Sequence, residues 1–167
     1  MSALLLTLLA CSPYEGETFF YLNHKGADMP VLIAGEPDAD VTLVTLHGGP
    51  GDSGLIYHLA DPFVSLEQDY SAVYWDQRAS GASQGNPALE TLTLEQYVED
   101  TDLVISAVRE HRPEGALVLL GHSWGGALGI AYLQERSERV DGWIEMDGVH
   151  NFQDAFPLSR DMVLDYA

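Results

Sequence analysis

The segment that most constrains the fold is a strand, a turn and a helix in direct succession at residues 116–136. Residues 116–120 read Ala-Leu-Val-Leu-Leu, a short apolar run typical of a strand that is buried on both faces. A Gly-His-Ser-Trp-Gly turn follows, and residues 124–136 then predict a helix. Because a strand buried on both faces needs helices on both sides of its sheet, this segment indicates an α/β architecture.

The same alternation of strands and helices continues from residue 41 to residue 146. Thr93 and Gln96 form a capping-box pattern ahead of a helix whose apolar residues recur at helical spacing. Such alternation indicates βαβ units, and therefore one domain with a mostly parallel sheet flanked by helices. The predicted strands are residues 18–23, 31–34, 41–46, 72–75, 116–120 and 140–146; the predicted helices are residues 55–66, interrupted by Pro62, the helix behind Thr93, and residues 124–136; residues 76–87 are predicted to form a polar loop.

The composition limits the classes of partner. Hydrophobic residues make up 46% of the 167 residues, enough to form a core in a single domain. The chain has 26 Asp and Glu against 7 Lys and Arg, a net charge of −19 that would repel phosphate backbones and argues against nucleic-acid binding. A single cysteine permits no intrachain disulfide, and the histidines lack zinc spacing, so we expect neither a metal nor a cofactor.

The N-terminus suggests export. Residues 3–10 are apolar apart from Thr7, and the sequence Leu-Leu-Ala-Cys at residues 8–11 resembles a bacterial lipobox, in which the cysteine is lipidated. We therefore expect a signal at residues 1–11, a membrane-anchored lipoprotein modified at Cys11, and a linker at residues 12–17. The alternative is an apolar N-terminus with a chance cysteine in a cytoplasmic protein. Fatty-acid labelling that persists after Cys11→Ala would contradict the anchor.

The turn after the strand at 116–120 carries the candidate nucleophile. Gly121, Ser123 and Gly125 fit the G-x-S-x-G pattern of a nucleophile elbow. In such an elbow a strained turn lifts the serine hydroxyl above the carboxyl end of the sheet, and the glycines leave room for the adjacent strand and helix. Ser123 is therefore the predicted nucleophile. His122 is its neighbour in sequence, but we expect its side chain to point away from the position of a catalytic base.

The sequence His-Gly-Gly-Pro-Gly at residues 47–51 follows another predicted strand. An acyl-transfer enzyme needs two N–H donors directed at the tetrahedral intermediate: one from the residue after the nucleophile, here Trp124, and one from a loop after an earlier strand. A glycine backbone can approach a substrate closely. Gly49 is our first choice for the second donor and Gly48 our second, whereas His47 is expected to be structural.

These motifs together resemble the α/β-hydrolase superfamily and, within it, the proline iminopeptidases. That family combines an HGGPG oxyanion loop, a DQRGxGxS loop after the next strand and a GxSWG elbow, and the resemblance covers residues 18–149. It implies that Asp76, Gln77 and Arg78 support the loops around the site, with Arg78 acting through an ion pair.

Two departures from the family pattern weaken the assignment to the iminopeptidases. Ala79 replaces a glycine that is usual in the second loop, and the elbow has His122 and Gly126 where Gly and Ser are commoner. The form of the elbow seen here is also common among esterases and other hydrolases.

The remaining members of a catalytic triad are not evident. In this superfamily the acid and the histidine follow the serine along the chain, and Ala167 comes only one predicted strand after the elbow. We therefore expect a C-terminally incomplete α/β-hydrolase fold, with the N-terminal part of the core at residues 18–150 and the start of a lid domain at residues 151–167. Asp147 and His150 are disfavoured substitutes, because the family's acid follows a later strand.

The resemblance implies a serine hydrolase that releases an N-terminal residue, often proline, from peptides. The alternatives are an esterase or carbon–carbon bond hydrolase on the same frame, and an inactive binding module. An epoxide hydrolase or dehalogenase is disfavoured, because its elbow carries Asp where this chain has Ser123. The expected partner is a small peptide or ester substrate, with no membrane contact beyond a lipid on Cys11; the oligomeric state is left open.

Overall fold

The computed structural model describes residues 16–149. The lipobox at Cys11, most of the linker, His150 and the lid segment lie outside the described residues, so those expectations stay predictions.

Seven strands and three α-helices form the described part of the chain. In chain order they are β1 (Thr18–His24), β2 (Ala27–Gly35), β3 (Val41–Leu46), α1 (Asp61–Leu66), β4 (Ser71–Trp75), β5 (Gln84–Gly85), α2 (Leu94–His111), β6 (Ala116–His122), α3 (Trp124–Arg136) and β7 (Gly142–Met146), with short 3-10 helices at Leu55–Leu59, Leu89–Thr91 and Ser137–Arg139.

The strands form one sheet in the order β1-β2-β4-β3-β6-β7, and the short β5 pairs with β2. Strands β4, β3, β6 and β7 run parallel to one another, while β1 and β2 form an antiparallel hairpin that joins β4. The mostly parallel sheet is therefore confirmed. Because β3, β4 and β6 are parallel neighbours, the loops that follow them come together at one edge of the sheet.

Helices cover both faces of the sheet. On one face α2 and α3 form the larger core, in which Val104 and Leu128 belong to the same cluster as Val73 and Leu119 of the strands. On the other face the 3-10 helix Leu55–Leu59 and α1 bring Tyr57 and Phe63 against Ala72 and Tyr74. Every residue of β4 is buried, because its side chains alternate between the two cores.

The structure corrects three details of the predicted elements around proline and polar residues. Strand β2 includes Pro30, which lies just beyond the part of β2 that pairs with β4, where its carbonyl accepts a bond from the Asp76 N–H (3.2 Å). Pro62 does not interrupt a single helix but lies in the first turn of α1. Proline is tolerated there, because the backbone nitrogens of the first turn donate no hydrogen bond within the helix. The predicted polar loop also contains β5, which pairs with Ala27 and Asp28.

The predicted cap of α2 is half formed. The Thr93 hydroxyl accepts a hydrogen bond from the Gln96 N–H at 3.3 Å, as a capping box requires. The Gln96 side chain does not return to Thr93; its oxygen accepts from Lys25 and its nitrogen donates to Asp100. The reciprocal bond is therefore replaced by tertiary contacts.

Candidate active site

Ser123 lies at the turn between β6 and α3, as predicted, and its backbone is strained. Its φ of 54° and ψ of −118° fall where a residue with a side chain rarely lies. Backbone hydrogen bonds hold this conformation: the Ser123 N–H donates to the Met146 carbonyl (3.2 Å), and the Ser123 carbonyl accepts from the N–H groups of Gly126 (2.9 Å) and Val149 (3.0 Å). The turn is thus fixed to both α3 and the end of β7.

Two glycines of the elbow stand where no side chain would fit. A Cβ on Gly125 would overlap the carbonyl oxygen of Leu46 in β3, and a Cβ on Gly121 would overlap both the Gly125 carbonyl and the Trp143 ring. The spacing of glycines in the motif therefore has a steric cause, because α3 crosses the backbones of its neighbours at van der Waals distance.

The glycine loop after β3, formed by residues 48–51, lies against the candidate nucleophile. A Cβ on Gly48 would be 3.1 Å from the Cβ of Ser123 and 3.4 Å from Nδ1 of His122. Gly49 has φ +111°, a conformation that glycine adopts most readily. Residues distant in the sequence are thus neighbours here: Gly48 and Gly49 lie in the loop after β3, and Trp124 begins α3 directly after Ser123.

His47 is completely buried, and both of its ring nitrogens have backbone partners. Nδ1 lies 2.8 Å from the Gly48 carbonyl, which can only accept, and Nε2 lies 3.0 Å from the Gln77 N–H, which can only donate. The ring must therefore carry its proton on Nδ1. Burial lowers the pKa of His47, although Gly48 and the carboxylates of Asp76 and Asp52 oppose this shift. A neutral imidazole with both nitrogens engaged is a structural group.

Asp76 organises two loops from a buried position after β4. Its Oδ1 accepts bonds from the Ser53 hydroxyl (2.9 Å) and from the N–H groups of Gly54 (2.7 Å) and Leu55 (3.2 Å), so it caps the 3-10 helix after the glycine loop. Its Oδ2 accepts from the Ala82 N–H at 2.6 Å. One carboxylate thus joins the loop after β3 to the loop after β4.

Arg78 forms a buried ion pair with Asp100 of α2. Its Nε and a terminal nitrogen contact the two carboxylate oxygens at 2.5 and 2.7 Å, and both side chains are fully buried. The other terminal nitrogen donates to the Thr91 hydroxyl, and His24 also lies 2.8 Å from Asp100. Arg78 thus joins the loop after β4 to α2 and to the 3-10 helix Leu89–Thr91, and Asp100 is joined to the first hairpin through His24. That Arg78 supports the loops around the site stays a prediction.

Gln77 and Trp124 connect the loops to the elbow. The Trp124 indole N–H donates to the Gln77 side-chain oxygen at 3.0 Å, and its ring packs edge-on against Tyr97. Beside them a cleft of about 320 Å³ extends between the glycine loop and the start of α2. Its lining is formed by Pro50, Gly51, Ala79, Leu92, Thr93, Leu94, Tyr97 and Trp124.

His122 is engaged with a residue that sequence reasoning missed. Its Nδ1 lies 2.9 Å from the hydroxyl of Tyr57 in the 3-10 helix Leu55–Leu59. Burial raises the pKa of Tyr57, while the Gly48 backbone opposes this shift, so the phenol keeps its proton at neutral pH and can donate it to His122. No local pattern distinguishes Tyr57 from an ordinary core aromatic residue.

Asp100 was also missed, although its sequence contains a signal. It falls on the same buried helical stripe as Tyr97, Val104 and Val108, whose side chains are apolar or aromatic. A carboxylate on such a stripe requires a partner, and Arg78 is that partner.

One disfavoured substitute for the catalytic acid lies within the described residues. Asp147 is exposed after β7 and has φ +48°. Within residues 16–149, no group of three or more His, Cys, Asp and Glu side chains could hold a metal ion. No helix of that same range is long and apolar enough to cross a membrane.

Comparison with known proteins identifies the family. Residues 37–158 match the family described as serine aminopeptidase, S33. The chain belongs to this family. The resemblance to the proline iminopeptidases is thereby confirmed for this N-terminal part of the fold.

Individual relatives agree with this assignment. The probable aminopeptidase YbaC of Bacillus subtilis (strain 168) is 33% identical over 127 residues, which cover 74% of this chain and 39% of that protein. A proline iminopeptidase of Arabidopsis thaliana is 32% identical over 150 residues, covering 79% of this chain and 37% of the relative. The chain thus spans less than two fifths of the length of these curated relatives.

Solved structures support the same fold. A proline iminopeptidase-related protein from Thermus thermophilus superposes with a TM-score of 0.65 at 28% identity, over 79% of this chain and 45% of that one. A thioesterase domain from the curacin biosynthetic pathway gives a TM-score of 0.66 at 22% identity, over 91% and 54% of the two chains, which shows the α/β-hydrolase fold alone.

Proposed function

We propose that the complete gene product is a serine hydrolase in which Ser123 attacks a carbonyl carbon. The observation that carries the proposal is the strained backbone of Ser123, at a strand-to-helix turn, with Gly48 directly beside it. Strain of this kind persists only where the surrounding structure enforces it, and it is typical of nucleophile elbows. A turn of no functional consequence would have no need of it.

The oxyanion that forms in this reaction would be bound by backbone N–H groups. Trp124 begins α3, where the helix dipole and the first N–H groups favour negative charge. Gly49 would supply the second donor from the loop after β3, with Gly48 as the alternative. The loop after β3 and the start of α3 both lie next to Ser123, which supports an oxyanion site for a tetrahedral intermediate.

A base must take the proton of the serine hydroxyl, because a serine is a weak nucleophile at neutral pH. His47 is unsuitable, since both of its nitrogens are bonded to the backbone. We propose that the acid and the histidine follow this part of the chain in the complete gene product, in the order that the superfamily uses. The 167-residue chain by itself should then be nearly inert.

The favoured reaction is the release of an N-terminal residue from a peptide. The support for it is the HGGPG loop, the Asp76-Gln77-Arg78 sequence and the names of relatives such as the Arabidopsis proline iminopeptidase. An esterase or carbon–carbon bond hydrolase is the alternative on the same frame, because the elbow has Gly126 where the iminopeptidases commonly have serine.

The test is to assay the complete gene product against proline β-naphthylamide and a short-chain p-nitrophenyl ester. We expect cleavage of the amide, and a loss of about 10⁴-fold or more in kcat on Ser123→Ala, because the nucleophile acts in every turnover. Ser106→Ala is the matched control, since that hydroxyl donates to the Asp102 carbonyl within α2 and accepts from Arg139, both outside the elbow.

The other outcomes separate the alternatives. Cleavage of the ester without the amide would replace the iminopeptidase assignment with an esterase. Activity that survives Ser123→Ala would refute the nucleophile. Absence of turnover with both probes would favour an inactive binding module. Robust Ser123-dependent turnover by the 167-residue chain would show that it contains a base, with His150 the first residue to substitute.

A further inference from the structure

We infer that Gln77 is the positioning residue that keeps the two oxyanion donors in a fixed relative geometry. This inference rests on the proposed function, because it concerns the N–H groups of Gly49 and Trp124. It assigns a specific task to a side chain that the family resemblance implied only as general loop support.

The Gln77 side chain forms a direct bridge between the end of β3 and the start of α3. Its Nε2 donates to the His47 carbonyl and its Oε1 accepts from the Trp124 indole, each at 3.0 Å, and the residue is fully buried. His47 immediately precedes the glycine loop, and Trp124 is the first residue of α3. One amide group therefore links Trp124, which carries one donor, to the residue that precedes the loop carrying the other donor.

The orientation of this amide is determined by its partners. The His47 carbonyl can only accept and the Trp124 indole can only donate, so a flipped amide would place oxygen against oxygen and N–H against N–H. In the flipped orientation the buried amide would lose both hydrogen bonds, and buried polar groups left unpaired cost more free energy than the two bonds contribute when they form. The bridge therefore has a single arrangement.

A second connection passes from the Gln77 backbone to the Gly49 N–H. The Gln77 N–H donates to Nε2 of His47, and Nδ1 of the same ring donates to the Gly48 carbonyl at 2.8 Å. The Gly48 carbonyl and the Gly49 N–H belong to one planar peptide unit, in which they point in opposite directions. Fixing the carbonyl through His47 thus fixes the direction of the Gly49 N–H.

Gln77 is itself held in place, which a positioning residue requires. Its carbonyl accepts bonds from the hydroxyls of Ser80 and Ser83, both at 2.9 Å. On either side, Asp76 and Arg78 are buried and hydrogen-bonded. Displacement of the Gln77 amide would therefore have to disrupt the whole loop after β4.

The test compares three variants of the complete gene product with the same two substrates. Gln77→Leu removes both side-chain bonds, and Trp124→Phe removes the indole donor but keeps the backbone N–H. Removing an oxyanion donor costs about 10²- to 10³-fold in kcat, so we expect a misaligned pair to cost about tenfold in kcat with KM within about twofold. The double variant should lose no more than about tenfold, because both changes break the same bond.

Gln77→Glu should change the pH dependence of kcat, which would stay unchanged if Gln77 had a purely structural role. Its ionised carboxylate can accept from Trp124 but faces the His47 carbonyl, whereas the protonated carboxyl group can donate to that carbonyl. The kcat of this variant relative to the wild type should therefore rise as the pH falls. Tyr132→Phe is the matched control, since it removes a partly buried bond from α3 to Asp102 away from the site and should leave kcat unchanged.

A second measurement does not depend on turnover. In ¹H–¹⁵N NMR spectra of protein labelled at glycine and tryptophan, Gln77→Leu should shift both the Trp124 indole and the Gly49 amide resonances. Tyr132→Phe should shift neither. If Ser123→Ala keeps its activity, the proposed function falls while these shifts still test the bridge.

Three results would overturn the inference. The first is an unchanged Gly49 resonance in Gln77→Leu, and the second is a change in KM with no change in kcat. The third is a fall in activity that matches the fraction of unfolded enzyme, so that kcat per folded active site stays constant.

Discussion

The turn after β6 and the loop after β4 lie side by side at the same edge of the sheet, but different forces hold them. The elbow at residues 121–125 is held by backbone hydrogen bonds and by close approach of glycines to neighbouring strands. The loop at residues 76–83 is held by buried polar side chains, chiefly Asp76, Gln77 and Arg78. Ser123, the proposed nucleophile, thus lies on a sterically fixed turn, while its surroundings depend on hydrogen bonds.

This difference predicts how each region fails. In the elbow, an added methyl group must displace a backbone, because the space it needs is already filled. In the loop, removal of one side chain leaves a buried partner unsatisfied, which costs more than the bond itself contributes. The loop should therefore show strong coupling between pairs of substitutions, and the elbow should show a dependence on side-chain volume.

The largest effect is expected from Arg78→Met. The substitution leaves the Asp100 carboxylate buried without its bidentate partner, and breaking a buried pair in this way costs about 3–5 kcal/mol in the free energy of unfolding. Urea denaturation of the variant would measure this loss. The double variant Arg78→Met/Asp100→Leu should recover at least half of it, because both charges are then absent. A single variant within about 1 kcal/mol of the wild type would contradict the comparison.

Gly125→Ala tests the elbow in the same way. Its Cβ would overlap the Leu46 carbonyl oxygen, so α3 must move away from β3, and we expect a loss of about 3 kcal/mol in the free energy of unfolding. Gly142→Ala in β7 is the control, because its Cβ would lie 3.2 Å from a Val118 methyl group that can adjust. Equal losses in the two variants would show that backbone contact is not the cause.

The contrast also explains how far the sequence could predict the site. The elbow was predictable, because its steric requirements appear directly as glycines around Ser123 in a strand-to-helix context. The ends of β3 and α3 were predicted at the residues where they lie, since apolar periodicity changes abruptly there. The partners of Arg78 and His122 were not predicted, because a hydrogen bond between distant residues has no local pattern. Family resemblance suggested the role of the loop but not its contacts.

The pH dependence of stability gives a smaller test of the loop. Burial lowers the pKa of His47 in the folded state, so below about pH 6.5 the unfolded chain binds a proton at this residue that the folded chain does not. Stability should therefore decrease as the pH falls below about 6.5, with a slope of at most about 1.4 kcal/mol per pH unit from this group. Thermal unfolding of the wild type and His47→Gln from about pH 7.5 to about pH 5.5, a range that brackets the ordinary histidine pKa, would measure the difference. Parallel curves would exclude His47 as the cause.

The smallest expected effect, and the one with an unusual sign, is that of Ala79→Gly. Ala79 is exposed in the loop after β4 and has φ +54°, where a side chain costs about 1–2 kcal/mol. Glycine removes that cost but gives the unfolded chain more conformational entropy, which destabilises the fold by about 0.4–1 kcal/mol, so the variant should be more stable by up to about 1.6 kcal/mol. Ala82→Gly is the matched control: Ala82 lies in the same loop without a positive φ, so the change should destabilise by about 0.5–1 kcal/mol. Denaturant midpoints that move in opposite directions would show that strain here is stored in the backbone, as in the elbow. Destabilisation in both variants would mean that the hydrogen bonds of the loop enforce the conformation of Ala79 at no measurable cost.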